Sequence, residues 1–241
     1  MSYKPDHIHI AEDANQLYKD CAENIVEYAV ECVKAGGQFS MALAGGSTPQ
    51  QLYLQLSSSP LAEQMPWQSC QFYFGDERMV AHDHADSNFA MAKQALFDRV
   101  PVPAENIHPI PTDCDEAADC ADQYEQQLTS TPALDLVLLG MGQDGHTASL
   151  FPDTDILTEK QKDVAAVYVD KLAAWRISLT YPCINRSACV IILAKGKDKT
   201  DIVHQVLHSD KAHMYPISGV RPIGQLIWYL DRDAHPDSNN A

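Results

Sequence analysis

Five short runs, each almost wholly apolar, set the strongest limit on how this chain can fold: residues 39–44 (FSMALA), 71–74 (QFYF), 134–139 (LDLVLL), 188–194 (ACVIILA) and 226–230 (LIWYL). Runs this short read as strands. Strands apolar on both faces suit a parallel sheet covered on each side, because a half-exposed antiparallel sheet would alternate. Weaker strand signals lie at residues 164–169 and 176–180. Amphipathic helical stretches fall between the runs, at residues 13–33, 49–56, 87–99, 115–128 and 199–207. The second begins on Pro49, which suits a first helical turn, and the third on Ser87-Asn88, which suits a cap. Strands alternating with helices predict an α/β fold. The expected architecture is an open, mostly parallel, Rossmann-like sheet with helices on both faces, as a single domain over residues 1–235 followed by a frayed tail at 236–241. Ligands of such sheets bind outside the carboxyl ends of the strands, so function is sought in the loops that follow the apolar runs.

Charge narrows the partners. Lys and Arg number 17 against 33 Asp and Glu, a formal net charge of −16. Binding to nucleic acid or to an anionic membrane surface rests on clustered cations, so neither is expected. A small anionic substrate would be repelled at long range, and its site must therefore be locally basic. No apolar run approaches the ~20 residues of a membrane helix. The start, MSYKPDHIHIAED, lacks the basic flank and apolar stretch of a secretory signal, and a cytoplasmic protein is expected. The 7 cysteines include no CxxC pair and match neither a disulfide framework nor a zinc site; they read as free thiols in a reducing compartment. A monomer or small homo-oligomer is expected.

Three loops stand out. After FSMALA comes Gly45-Gly46-Ser47-Thr48-Pro49. Its glycines permit close backbone approach, its hydroxyls offer an N-cap, and the helix start that follows favours an anion, phosphate above all. A plain strand-to-helix turn uses the same residues. The fifth residue is Pro49, so the segment misses GxSxG and Ser47 is not read as a nucleophile. After QFYF comes Gly75-Asp76-Glu77-Arg78. Arg78 offers a planar fork of donors to a phosphate, and Asp76 is placed to orient a substrate hydroxyl, Arg78 or His146. A solvated loop with mutually paired charges is the plainer account. After LDLVLL comes GMGQDGHTASLFP, residues 140–152. Three glycines in six residues allow a tight turn that presents His146, the side chain best suited to move a proton near neutral pH, with Asp144 at hand to orient the ring or polarise water.

Other signals carry less. His204 and His208 stand four apart on a helical stretch, but no Glu follows His204 as in HExxH. His82 and His84 flank Asp83 without a third ligand at suitable spacing. Arg176 is a charge inside an otherwise apolar strand. Lys195, Lys197 and Lys199 follow ACVIILA at another strand end and add positive potential or form a solvated cluster.

Together the motifs ALAGGSTPQQLY, FGDERMVAHDHADSN and GMGQDGHTASLFP, with WRISLT, AKGKDK, Pro216-Ile217-Ser218 and LIWYLDRDA, resemble the 6-phosphogluconolactonases of the pentose phosphate pathway. The resemblance runs from residue 11 to residue 234. Glucosamine-6-phosphate deaminases share a GxDGH core, but there the histidine leads into an Asn-Glu-Pro pattern, whereas here TASLFP follows. Ala44 departs from the Ser that commonly precedes the two glycines. The resemblance implies hydrolysis of 6-phospho-D-glucono-1,5-lactone to 6-phosphogluconate, with no cofactor and no metal. It makes His146 the general base, with Asp144 and Asp76 beside it. Arg78 and Arg176 would hold the phosphate or the carboxyl end, with Gly45, Gly46, Ser47 and Thr48 contacting the substrate or its phosphate; Lys199 is a further binding candidate on its charge at a strand end, apart from the resemblance. The alternatives are a sugar-phosphate isomerase or deaminase on the same scaffold, and a non-catalytic sugar-phosphate-binding protein.

Overall fold

In a computed structural model, which describes residues 3–128 and 133–236, the apolar runs form the interior of one parallel sheet. Its strands are β1 (His7–Ala11), β2 (Phe39–Leu43), β3 (Cys70–Phe74), β5 (Leu136–Gly140), β8 (Cys189–Ala194) and β9 (Gln225–Asp231), in the order β1-β9-β8-β5-β2-β3. Strands β2 and β8 are buried at every position, as strands covered on both faces must be. The edge strand β1 escapes sequence reading. Its alternation of His and Ile leaves Ile8 and Ile10 exposed, and it carries no apolar run.

Helices α1 (Ala14–Lys34), α2 (Ser47–Leu56), α3 (Leu61–Gln64), α4 (Asn88–Ala92), α5 (Ala117–Leu128), α6 (Tyr181–Arg186) and α7 (Thr200–His208) flank the sheets. Asp13 caps α1 by accepting from the Gln16 backbone N–H, and the stripe Leu17, Cys21, Ala22, Ile25 and Ala29 is buried at helical spacing. Ser87 caps α4 by accepting from the Ala90 N–H. The single helix expected at 87–99 divides there, because Lys93–Phe97 continues as a π-helical turn.

A second, three-stranded antiparallel sheet lies beside the first, in the order β4 (Asp76–Arg78), β7 (Ala174–Leu179), β6 (Val164–Val169). The DER segment, expected as a loop, is therefore a strand. Side chains alternate along it: Asp76 and Arg78 line one face, while Glu77 is 1% exposed and accepts hydrogen bonds from the start of α4.

The cysteine expectation is corrected. Cys114 and Cys120 are joined by a disulfide at the start of α5, six residues apart and with a Cα–Cα distance of 5.6 Å, which suits a bridge. Sequence spacing alone could not foresee it, because the turn before α5 is what brings the two together. Cys21, Cys32, Cys70, Cys183 and Cys189 are free. Burial pushes the Cys70 and Cys183 thiols up to about 12, so they act as small apolar core residues. Among the described residues no helix is long and apolar enough to cross a membrane. Of the tail expected at 236–241, residues 237–241 lie outside the described residues.

Candidate active site

Parallel pairing sends the carboxyl ends of β3, β2, β5 and β8 to one edge of the sheet, and these four strands are consecutive neighbours. The three polar loops and the lysine-bearing turn after β8 therefore converge. They enclose a cleft of ≈ 620 Å³ lined by Gly45, Gly46, Ser47, Thr48, Asp76, Arg78, His146, Arg176 and Lys199. The second sheet contributes to the lining through β4 and β7.

His146 is held from several sides. Its Nδ1 is 2.5 Å from Asp144 Oδ1, and its backbone carbonyl accepts from the Gly142 N–H at 2.9 Å. Its ring stacks on Phe151 at a centroid separation of 4.0 Å. A Cβ at Gly142 would come within 2.1 Å of the imidazole, so only glycine leaves room for it. Asp144 stands behind the ring, and its second carboxylate oxygen accepts from Lys171 Nζ. Burial works to raise the Asp144 carboxyl, yet the hydrogen bonds from Lys171 and His146 outweigh it and hold the group well below the usual carboxylate range. Burial pushes the His146 imidazole down, against the upward pull of Asp144. With Nδ1–H donating to Asp144, Nε2 carries the lone pair and is the nitrogen available to a substrate.

The same cleft holds a basic pair. The antiparallel register sets Arg78 directly across from Arg176, a like-charge placement that is unfavourable without an anion between. Burial and then Arg78 lower the Arg176 guanidinium. Arg78 Nη1 donates to the Asp86 carbonyl at 2.5 Å, but the buried Nε of each arginine has no hydrogen-bond partner. Stranded donors of this kind ask for an anionic acceptor.

Asp76 lines the cleft as expected, but neither Arg78 nor His146 is its hydrogen-bond partner. Its carboxylate accepts from Ser149 Oγ at 2.6 Å and from Asn88 Nδ2 at 3.2 Å, so it braces the loop after β5 and the start of α4 instead of orienting Arg78 or His146. Asn88 sits over Gly45, where a Cβ would lie 1.9 Å from the amide oxygen; that packing fixes the glycine loop. Gly46 is the N-cap of α2, and neither Ser47 nor Thr48 makes the side-chain cap expected of them. Their hydroxyls stay on the cleft wall. Lys199 pairs with Asp198 at 3.6 Å, and Asp198 also accepts from Gln143.

The histidines set aside in the sequence do not line the cleft. His82 bonds to the Ile110 carbonyl, His84 accepts from the Asp86 N–H, and His204 and His208 face one another on α7. Among the described residues the group spaced to hold a metal is Asp113, Cys114 and Cys120. Two of these form the disulfide and none lines the cleft. Sequence reasoning missed Lys171, Asn88 and the bracing role of Ser149. The last two lie inside motifs already singled out; Lys171 carried no local signal.

The fold is shared with known relatives of the chain. Residues 12–228 match the family described as glucosamine-6-phosphate isomerases/6-phosphogluconolactonase, and the chain belongs to that family. It is 39% identical over 236 residues to a 6-phosphogluconolactonase of Nostoc sp., covering 94% of this chain and 96% of that one. It is 37% identical to one of Synechocystis sp., covering 87% and 92%. The solved 6-phosphogluconolactonase of Trypanosoma brucei superposes with a TM-score of 0.84 at 30% identity, covering 100% of each chain. A monomeric glucosamine-6-phosphate deaminase, at 20% identity and a TM-score of 0.82, shares the fold.

Proposed function

We propose that this chain hydrolyses 6-phospho-D-glucono-1,5-lactone to 6-phosphogluconate, with water activated by His146. The observation that carries the reading is one cleft holding both a carboxylate-backed imidazole and two arginines with buried, unbonded Nε donors. Arg78 and Arg176 take the phosphate, with the start of α2 and Lys199 close by. The anchored phosphate fixes the lactone carbonyl near His146, which replaces a bimolecular encounter with a positioned one. His146 Nε2 removes a proton from water as its oxygen bonds to the carbonyl carbon. Backbone N–H groups of the glycine turns take the oxyanion. Collapse breaks the ring C–O bond, and the imidazolium returns its proton to the departing oxygen. Asp144 keeps the ring in one tautomer and supports the transient positive charge. No acyl-enzyme is required, in keeping with the lack of a nucleophile elbow. The local positive charge also answers the −16 of the whole chain, which would otherwise turn a phosphorylated substrate away. The reading keeps the protein in the cytoplasm, as a monomer or small homo-oligomer.

The test is a coupled assay of lactone opening. The purified protein opens the phosphorylated lactone far faster than buffer does and leaves glucosamine 6-phosphate unchanged. Turnover of the amino sugar without lactone acceleration overturns the assignment. Arg176→Leu is expected to raise KM for the phosphorylated lactone by about 10- to 100-fold, the value of a lost charge-assisted hydrogen bond. Its melting temperature should hold or rise, because the cross-strand repulsion with Arg78 goes with it. An unchanged KM would remove Arg176 from the phosphate site.

A further inference from the structure

We propose that Lys171 is a positioning residue for His146, gripping from the β6–β7 turn both groups that hold the imidazole in place. The inference rests on His146 being the working base. Its ammonium bonds to the Asp144 carboxylate, the partner of the imidazole Nδ1. The same Nζ lies 4.5 Å from the centroid of the Phe151 ring, on which the imidazole stacks. One cation thus clasps the hydrogen-bonding partner and the stacking partner together, a cation–π contact on one side and an ion pair on the other.

The turn is built to present this lysine. Residues Asp170–Leu172 form a single tight turn closed by Ala173 in the left-handed region, at φ 47°. Behind it, Tyr168 and Trp175 pack edge to face across the hairpin at 5.4 Å. Lys171 and Leu172 then reach the cleft. The Lys171 side chain is about half exposed, and an exposed ion pair contributes little to stability. Its value is therefore in orientation. A second phosphate cation is the rival role, and the contacts separate the two. Arg78 and Arg176 each leave a buried Nε unbonded, whereas the Lys171 ammonium already has an anion and a ring.

Lys171 also acts on proton affinity. The charged groups acting on His146 are Asp144 and Asp76, which favour the imidazolium, and Lys171, which opposes it. Removing the ammonium takes away a repelling charge, which makes the imidazole easier to protonate, so its titration moves to higher pH.

The experiment compares Lys171→Met and Lys171→Arg with wild type by NMR titration of the His146 ring protons and by pH profiles of kcat and kcat/KM. In Lys171→Met the His146 titration and the acid limb of kcat/KM move up in pH together. Its kcat falls by up to about 100-fold, the scale of a reacting group misplaced by about 1 Å, while KM changes little. Lys171→Arg keeps the charge and the ring contact, and restores both. A His146 titration unmoved in Lys171→Met, or a loss confined to KM for the phosphorylated lactone, overturns the proposal. The titration needs no turnover, so a failed lactonase assignment and a failed Lys171 role give different results.

Discussion

Replacing His146 with alanine lowers kcat for lactone opening by roughly 10²–10⁴-fold, the usual worth of a positioned general acid–base group. The loss should fall on kcat, because the substitution leaves the proposed phosphate ligands, Arg78 and Arg176, untouched. The fold should survive, since His146 is a loop residue whose main partners are Asp144 and Phe151. The lactone opens by itself in water, so the comparison is made after subtracting the buffer rate. A variant within a few-fold of wild type removes His146 from the chemistry. The wild-type pH profile adds a signed check. Burial, with the Lys171 charge, outweighs the pull of Asp144 and Asp76 on the imidazolium, so the neutral base persists further into acid than a free histidine would. The acid limb of kcat/KM is expected below the ordinary histidine range, and a limb at or above that range contradicts this balance.

Glu77 carries the second large effect, and it concerns stability. Its buried carboxylate accepts from the backbone N–H of Arg78, Asn88 and Phe89 at 2.8 Å each and from Ser87 Oγ at 3.0 Å. Glu77→Ala strands these donors, at roughly 1–3 kcal/mol for each that water cannot reach. A net loss of about 3–5 kcal/mol lowers Tm by on the order of 10 °C in a chain of this size. Glu77→Gln keeps the shape and one oxygen but turns an amide NH₂ toward donors, and should fall between. Calorimetry reads both. A Glu77→Ala protein melting with wild type would show that the carboxylate is not what ties β4 to α4.

These two residues also mark how far the sequence could be read. The GQDGH turn and its histidine were visible because glycine, carboxylate and imidazole lie within a few positions at a strand end. The parallel sheet was visible because strands buried on both faces leave unbroken apolar runs. Glu77 was hidden by the same rule. Three charges in a row look like solvent-facing loop, and only the amides at the start of α4 explain a carboxylate that is buried. Lys171 was hidden for a different reason. It meets Asp144 27 residues back along the chain, through a hairpin whose register no local pattern encodes. Asp76 lies in the cleft, but its bonds to Ser149 and Asn88 could not be read from sequence, since they depend on how two loops pack.

The pairing of β4 with β7 has a consequence for how the molecule becomes competent. Arg78 and Arg176 become neighbours only when segments nearly a hundred residues apart close on one another. Such long-range closures are among the slower and more cooperative events in folding. The nascent chain can assemble β2, β3 and the glycine loop and still lack the Arg78–Arg176 pair. Catalytic activity during refolding would therefore report completion of the second sheet, and should lag any spectroscopic signal that tracks the more local pairing of β2 with β3.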